Sequence, residues 1–262
     1  MNLWAPHQEQ GCAWKVGRMA KLIYSMFNDP ALYRVIDAYG GLALWRKLKC
    51  VVLQIDSLDG PLPVAKGLGR TFIQPSIVTI DPLNWKVEFH DFPQPGESAI
   101  FSKGTVQFIN RAGALTVDRS QYRETFRGLK KYRRWSHADA AYFFGYALVT
   151  YLSIPFILPE YATSVREWKD GVRVSARFPE ALDTHSADQV FWFNREGLLV
   201  RHDYRAEVVG WWAAGAHFTS GYRTIAGFPV ATRRQVYARL FRAVTPVPVL
   251  SATLHPVEVK VA

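Results

Sequence analysis

The sequence predicts an α+β protein built on one antiparallel sheet of about ten strands, with helices on one face. Three observations carry that expectation. Apolar and polar residues alternate through most segments beyond residue 48. Turn sequences rather than helices separate most of those segments, so there is no strand–helix–strand rhythm. Aromatic residues make up 14% of the chain, and their rings suit both pleated surfaces and the walls of a cavity.

Residues 1–48 read as a helical segment. "MAKLIYSMF" and "DPALYRVIDAYGG" space their apolar residues for helices; in the second, Asp29 can cap, Pro30 takes a favoured first position and Gly40-Gly41 can end the helix. Residues 49–110 hold the first strands. "CVVLQID" leads to the turn "SLDGPLP". "SIVTI" and "WKVEFHDF" form a hairpin about "DPLN", and "AIFS" and "TVQFI" flank Lys103-Gly104. Residues 111–158 are a polar, basic loop followed by an apolar helix. The run Ala140 to Leu158 has no charge, long enough to suggest a membrane span. Gly145, Pro155 and three tyrosines make a buried core helix the better reading, stopping near Ile154 because a residue before proline resists helical geometry.

Residues 159–262 return to strands. "GVRVSARFP" alternates, "QVFWFNREGLLVRHDYRAEVVG" is a hairpin closed by "NREG", and "AHFTSGYRTIAGFPVATRRQVYAR" is another turned at "IAG". "PVPVLSATLHPVEVKVA" ends the chain. No linker or repeat divides it, so residues 1–262 read as one domain.

A net charge of +10 raises nucleic acid or an anionic membrane surface as partners. The basic residues are mostly dispersed, and the one cluster, "RGLKKYRRW" (Arg127 to Trp135), reads as a solvated loop that could also grip lipid headgroups. With no zinc-finger spacing, Walker loop or RNA-binding signature, nucleic acid is not the expected partner. Cys12 and Cys50 give neither a disulfide framework nor a metal spacing. The first twenty residues lack a basic-then-apolar signal layout, and "QEQGC" lacks the apolar lead of a lipoprotein signal, so the expected location is the cytoplasm.

The helix running into "DAYGGLALWRKLKCVVLQ", followed by a meander of amphipathic strands, resembles the LolA/LolB/LppX-like superfamily of lipid and lipoprotein carriers. "WSHADAAYFFGYALVTYLSIPF", "FPEALDTHSADQVFWFNREGLLVRHDY" and "AHFTSGYRTIAGFPVATRRQVYAR" are similar to a group of uncharacterised bacterial proteins of this length. The resemblance covers the chain from about residue 30. It implies a curved, unclosed antiparallel half-barrel wrapped around helices, with a hydrophobic cavity between. The carriers work in the cell envelope and need an export signal, which departs from the reading of this N-terminus.

In such a fold the inward strand residues line the cavity. "GLLVRHDYRAEVV" places Leu198, Val200, His202, Tyr204, Ala206 and Val208 on one face, and Leu199, Arg201, Asp203, Arg205 and Glu207 on a solvated one. His202 and Tyr204 are therefore candidate catalytic groups, a buried imidazole being the usual proton shuttle. Asp203 is separated from His202 by strand parity, and Asp139, near His137 at the start of the apolar helix, is the better carboxylate partner; it equally suits a first-turn charge on that helix. Parity groups Ala216, Phe218, Ser220 and Tyr222 and turns His217 outward, although the register of a strand rich in small residues is weakly specified. His185 lies in the loop "DTHSADQ", where it caps or lines a rim. Arg234 shares a face with Val230, Thr232 and Val236, and an inward arginine needs a carboxylate from the protein or an anionic group from a ligand. Arg234, Tyr222, Phe218, Trp192, Tyr146 and His217 form the ligand-binding set. His202, His217 and Asp139 have no metal-site spacing, and no motif implies a cofactor.

Two functions are expected from these residues. One is binding of a hydrophobic small molecule with cofactor-independent acid–base catalysis of cyclisation or isomerisation type. The alternative is a non-catalytic carrier of a lipid or similar ligand, with a basic rim for membrane docking.

Overall fold

The computed structural model describes residues 29–69, 76–241 and 243–262. The expected helix at "MAKLIYSMF" lies outside these residues. Helix α1 (Pro30–Ala38) begins as its sequence dictates: the Asp29 side chain accepts from the backbone N–H groups of Ala31 (2.9 Å) and Leu32, and Pro30 occupies the first turn. Helix α2 (Gly41–Lys47) follows and leads into strand β1 (Leu48–Asp59).

The short helix α3 (Pro61–Ala65) separates β1 from a meander of five strands: β2 (Ser76–Asp81), β3 (Lys86–His90), β4 (Ser98–Ser102), β5 (Thr105–Ile109) and β6 (Leu115–Arg119). Two 3-10 turns, Tyr122–Phe126 and Gly128–Tyr132, carry the basic cluster to helix α4 (His137–Ser153). Helix α5 (Leu158–Tyr161) then precedes β7 (Ala162–Trp168), β8 (Gly171–Arg177), β9 (Asp188–Phe193), β10 (Leu199–Arg205), β11 (Ala214–Ile225), β12 (Phe228–Leu240), β13 (Ala243–Val244) and β14 (Leu250–Val261).

These strands form one antiparallel, curved and unclosed sheet of 14 strands, more than the ten expected. Its path runs β6-β5-β4-β3-β2-β1-β14-β12-β11-β10-β9-β8-β7, with β13 beside β12. The C-terminal strand β14 thus joins two meanders by pairing with both β1 and β12. Three strands that none of the expected segments covers have plain causes. β6 is a mostly exposed edge strand inside what reads as a polar loop, β7 is an edge strand of mixed composition, and β13 is two residues long. An edge strand has no need of the apolar alternation that marks a half-buried one.

Helix α4 occupies the concave side. Almost every residue from Asp139 to Ser153 is buried, as expected of a helix that is apolar all round. Ser136 and Asp139 close a reciprocal capping box at its start. It ends at Ile154, whose extended backbone is set by Pro155. Gly145 lets the helix lie directly on Phe101 of β4, because a Cβ there would overlap that ring. No helix among the described residues is long and apolar enough to cross a membrane.

Candidate functional site

The site is a cluster of buried histidines, tyrosines and one arginine between the C-terminal half of α4 and strands β9 to β12. His202 is buried on the inward face of β10, as parity predicts, and Tyr204 is buried beside it at 4.7 Å between ring centroids. His202 Nε2 lies 2.6 Å from Gln189 Oε1 on β9. The Gln189 amide is itself oriented by donating to the Ser186 carbonyl at 2.6 Å. A carboxamide oxygen only accepts, so His202 carries its proton on Nε2, and its Nδ1 is a buried lone pair with no partner.

His217 corrects its expected outward placement. It stands directly across from His202 in the β10–β11 ladder and is 1% exposed. Directly opposed residues of an antiparallel pair share a face, so the two imidazoles must point the same way. The grouping with Tyr222 misleads because Gly221, at φ +67°, breaks the alternation. Tyr222 therefore reaches the side of Thr219 and donates to the Leu199 carbonyl at 2.7 Å. Neither ring nitrogen of His217 has a hydrogen-bond partner among the described residues.

The opposite parity group is corrected as well. Phe218 lies across from Arg201, whose guanidinium covers both Phe218 and Trp192, so these two aromatics sit on the other side of the sheet from His202. Phe191 takes the inward position, stacked on His202 at 4.4 Å. Asp203 does sit opposite His202, yet it is not solvated: it is 3% exposed, held by Arg201 at 2.7 and 2.9 Å and by Arg239 at 2.6 Å. Leu199, assigned to the solvated face, is buried, because the β9–β10 pairing slips between Leu199 and Arg201.

Asp139 is not a partner of His202. Its Oδ1 accepts from Tyr122 (3.2 Å) and Arg133 (2.7 Å), and its Oδ2 from the Ser136 backbone and hydroxyl. Both oxygens are committed to the first turn of α4, two helical turns and more before the site.

His185, expected at a rim, is at the centre of the cluster and fully buried. Its Nδ1 and Nε2 are bonded to the hydroxyls of Tyr146 (3.3 Å) and Tyr151 (2.9 Å) on α4. Its ring stacks on Tyr204 at 3.8 Å with the planes 6° apart. A loop residue carries no periodicity, so parity reasoning had no means to place it. The loop is anchored by Asp183, which accepts a short hydrogen bond from Tyr142, and by Arg123, which donates to the Thr184 carbonyl at 2.8 Å.

Burial dominates the electrostatics. It holds His202 and His217 well below 6.5, helped by the neighbouring histidines and Arg234, and pushes His185 down to about 3 with help from Arg123. All three rings are neutral at pH 7. Burial also raises Tyr146 and Tyr204 well above 10 and Tyr151 to about 12. Arg234 is inward, as predicted, with its guanidinium 4.5 Å from the Tyr151 ring centroid. Its Nε and Nη1 have no partner, and its electrostatic neighbours are tyrosines rather than carboxylates.

Two clefts open beside this cluster. One, narrow at about 40 Å³, is lined by Tyr151, His217 and Arg234 together with apolar residues such as Ile55, Leu148 and Leu254. The other, of about 240 Å³, runs from Tyr204 past Val209 and Trp212 to Leu62 and Ala65 of α3. Phe143, Val236 and Leu250 line both. No group of three or more His, Cys, Asp or Glu among the described residues is arranged to hold a metal ion.

Fold and site together describe an open antiparallel half-barrel with an apolar cavity and a buried polar cluster at its floor. The structure is similar to a LolA superfamily protein, NE2245 from Nitrosomonas europaea, at 10% identity and TM-score 0.47 over 87% of this chain and 92% of that one. It is also similar to a DUF1329 family protein from Desulfovibrio piger, at 11% identity and TM-score 0.46 over 91% and 92% of the two chains. No protein-family model and no curated protein sequence matches the chain.

Proposed function

We propose that the protein binds one hydrophobic or amphiphilic small molecule in the paired clefts under α4 and acts as its carrier. The observation that carries this reading is the apolar lining of two adjoining clefts that share Phe143, Val236 and Leu250. The carrier reading includes an anionic membrane as the place of exchange. Trp211 and Trp212 are 69% and 57% exposed, and Trp212 lines the larger cleft with α3. Lys66, just after α3, donates to the Lys131 carbonyl at 2.5 Å and so ties this rim to the basic turn of Lys130, Lys131 and Arg134. Exposed tryptophans beside lysines and arginines suit the headgroup region of a bilayer.

Proton-transfer catalysis is the second reading, favoured by the unpartnered Nδ1 of His202 beside Tyr204. It is the weaker one, since imidazoles held below their ordinary range are poor bases and no carboxylate orients His202.

One experiment separates them. Native mass spectrometry with dodecan-1-ol as probe should show one bound molecule, recovered unchanged on extraction. Val236→Trp, which fills a wall shared by both clefts, should abolish uptake while far-UV circular dichroism stays constant. Equal uptake by a folded Val236→Trp variant contradicts cleft binding. A rearranged molecule recovered from ligand that co-purifies with the protein supports catalysis instead.

A further inference from the structure

We infer that the bound molecule is a monoanion: a single carboxylate head on an apolar tail, with the head received by Arg234 and His217. The inference rests on the cleft-binding reading above and adds the chemistry of one end of the ligand.

Arg234 is the starting point. It lies on the inward face of β12, is 93% buried by the complement of its 7% exposure, and opens onto the smaller cleft. An arginine stays charged in a protein interior, because its ordinary value lies far above neutrality. A buried charge is normally paired. Here Nε and Nη1 have no hydrogen-bond partner among the described residues, one face of the guanidinium lies over Tyr151, and the ionisable groups acting on it are Tyr222, Tyr151, Tyr39 and Tyr204. Among the described residues, the half-buried arginines Arg201 and Arg239 share Asp203, Arg123 has Glu207, and Arg173 covers the Trp192 ring near the surface. Arg234 is the most buried of the described arginines and has no carboxylate.

His217 adds to the receptor. Arg234 pairs with Thr219 in the ladder and Val236 with His217, so the guanidinium and the imidazole are close neighbours on one face. Tyr151 lies against both, 4.5 Å from the guanidinium and 4.7 Å from the His217 ring. Burial and Arg234 keep His217 neutral. A neutral imidazole has one N–H to give, so the site offers at least three unspent donors and a single positive charge. That set matches the two oxygens and one charge of a carboxylate. A phosphate dianion would leave an uncompensated charge in a water-poor pocket. An alcohol or amine would leave the guanidinium unpaired.

The tail has a path. From Arg234 the smaller cleft is walled by Ile55, Leu148 and Leu254, and through Phe143 and Val236 it adjoins the larger one.

The test uses the full chain and three probes of equal length: dodecanoate, dodecan-1-ol and monododecyl phosphate, titrated by calorimetry at pH 7.5. Dodecanoate should bind roughly thirtyfold more tightly than the alcohol, and more tightly than the phosphate. Arg234→Met should remove the preference for the acid over the alcohol while retaining alcohol binding, and Arg234→Lys should retain part of it. The comparison of probes on the unaltered chain stands even if Arg234→Met does not fold. Equal affinity for acid and alcohol, or a preference that survives Arg234→Met, overturns the carboxylate inference and leaves the cleft reading intact. Tightest binding of the phosphate replaces the carboxylate and overturns the inference in that form. Binding of none of the three removes both.

Discussion

The two halves of helix α4 are buried to the same degree and yet solve opposite problems. Its N-terminal half rests on the first meander, where the buried ionisable groups have assignments: Asp139 serves Tyr122, Arg133 and Ser136, and Tyr142 serves Asp183, leaving only the indole N–H groups of Trp85 and Trp135 and the Thr125 hydroxyl without partners. Its C-terminal half faces the second meander, where His202 Nδ1, both nitrogens of His217 and two of Arg234 are left without partners. Unsatisfied polar groups in an interior cost free energy, so a region that concentrates ionisable ones, beside a neighbour that leaves only two indoles and one hydroxyl unpaired, is the part of the molecule shaped for something besides its own stability.

That contrast can be broken in several ways. The largest effect is acid sensitivity. Three imidazoles are held below their unfolded value near 6.5, His185 down to about 3. Between those limits the unfolded chain binds more protons than the folded one. Their contribution is therefore fully present above about pH 6.5 and is lost as pH falls, at about 1.4 kcal/mol per unit for each ring. Asp183, held above its ordinary 3.8 by burial, works in the opposite direction near the lower end. Urea midpoints at pH 7, 6, 5 and 4 should fall steeply, with acid unfolding before pH 3. A flat profile from pH 7 to 5 would mean that the rings are not buried in neutral form.

The packed half should respond to truncation in the ordinary way. Phe101→Ala removes the ring under Gly145 and Tyr142 and should cost about 3–5 kcal/mol by urea denaturation. The polar half should respond with the opposite sign. Arg234→Met, measured on ligand-free protein, should raise stability by about 1–3 kcal/mol, since it deletes a buried charge without a partner. Loss of stability in that variant would show that Arg234 serves the fold. The smallest effect belongs to the rim: Trp211→Ser with Trp212→Ser should change stability by no more than about 0.5 kcal/mol for each substitution. Co-sedimentation with anionic vesicles should drop nonetheless, and undiminished sedimentation removes the membrane from the carrier reading.

The individual residues show where local reasoning reaches and where it stops. Asp29 and Pro30 start a helix because a cap needs only its next three residues. The stretch around Pro155 ends one for an equally local reason. His202, Tyr204 and Arg234 were legible as inward groups from alternation alone. Asp139 was legible as a first-turn charge, but nothing in its spacing revealed that Tyr122 and Arg133 occupy it. His217, Phe218 and Trp192 were misplaced, and His185 was expected at a cap or rim rather than at the centre of the cluster.

The sequence by itself determined the antiparallel class, the hairpins, the buried helix and the unusual arginine, because each depends on periodicity or on neighbours within a few positions. The tertiary structure alone decided that His202 faces His217, that Gly221 turns Tyr222 inward and that the slip after Leu199 reverses its neighbour. Register and bulges are properties of strand pairs, and a single strand cannot encode which residue its partner places opposite. The loop that carries His185 under Tyr151 is set by contacts with α4, about 34 positions away along the chain. The site exists only where those pairings meet.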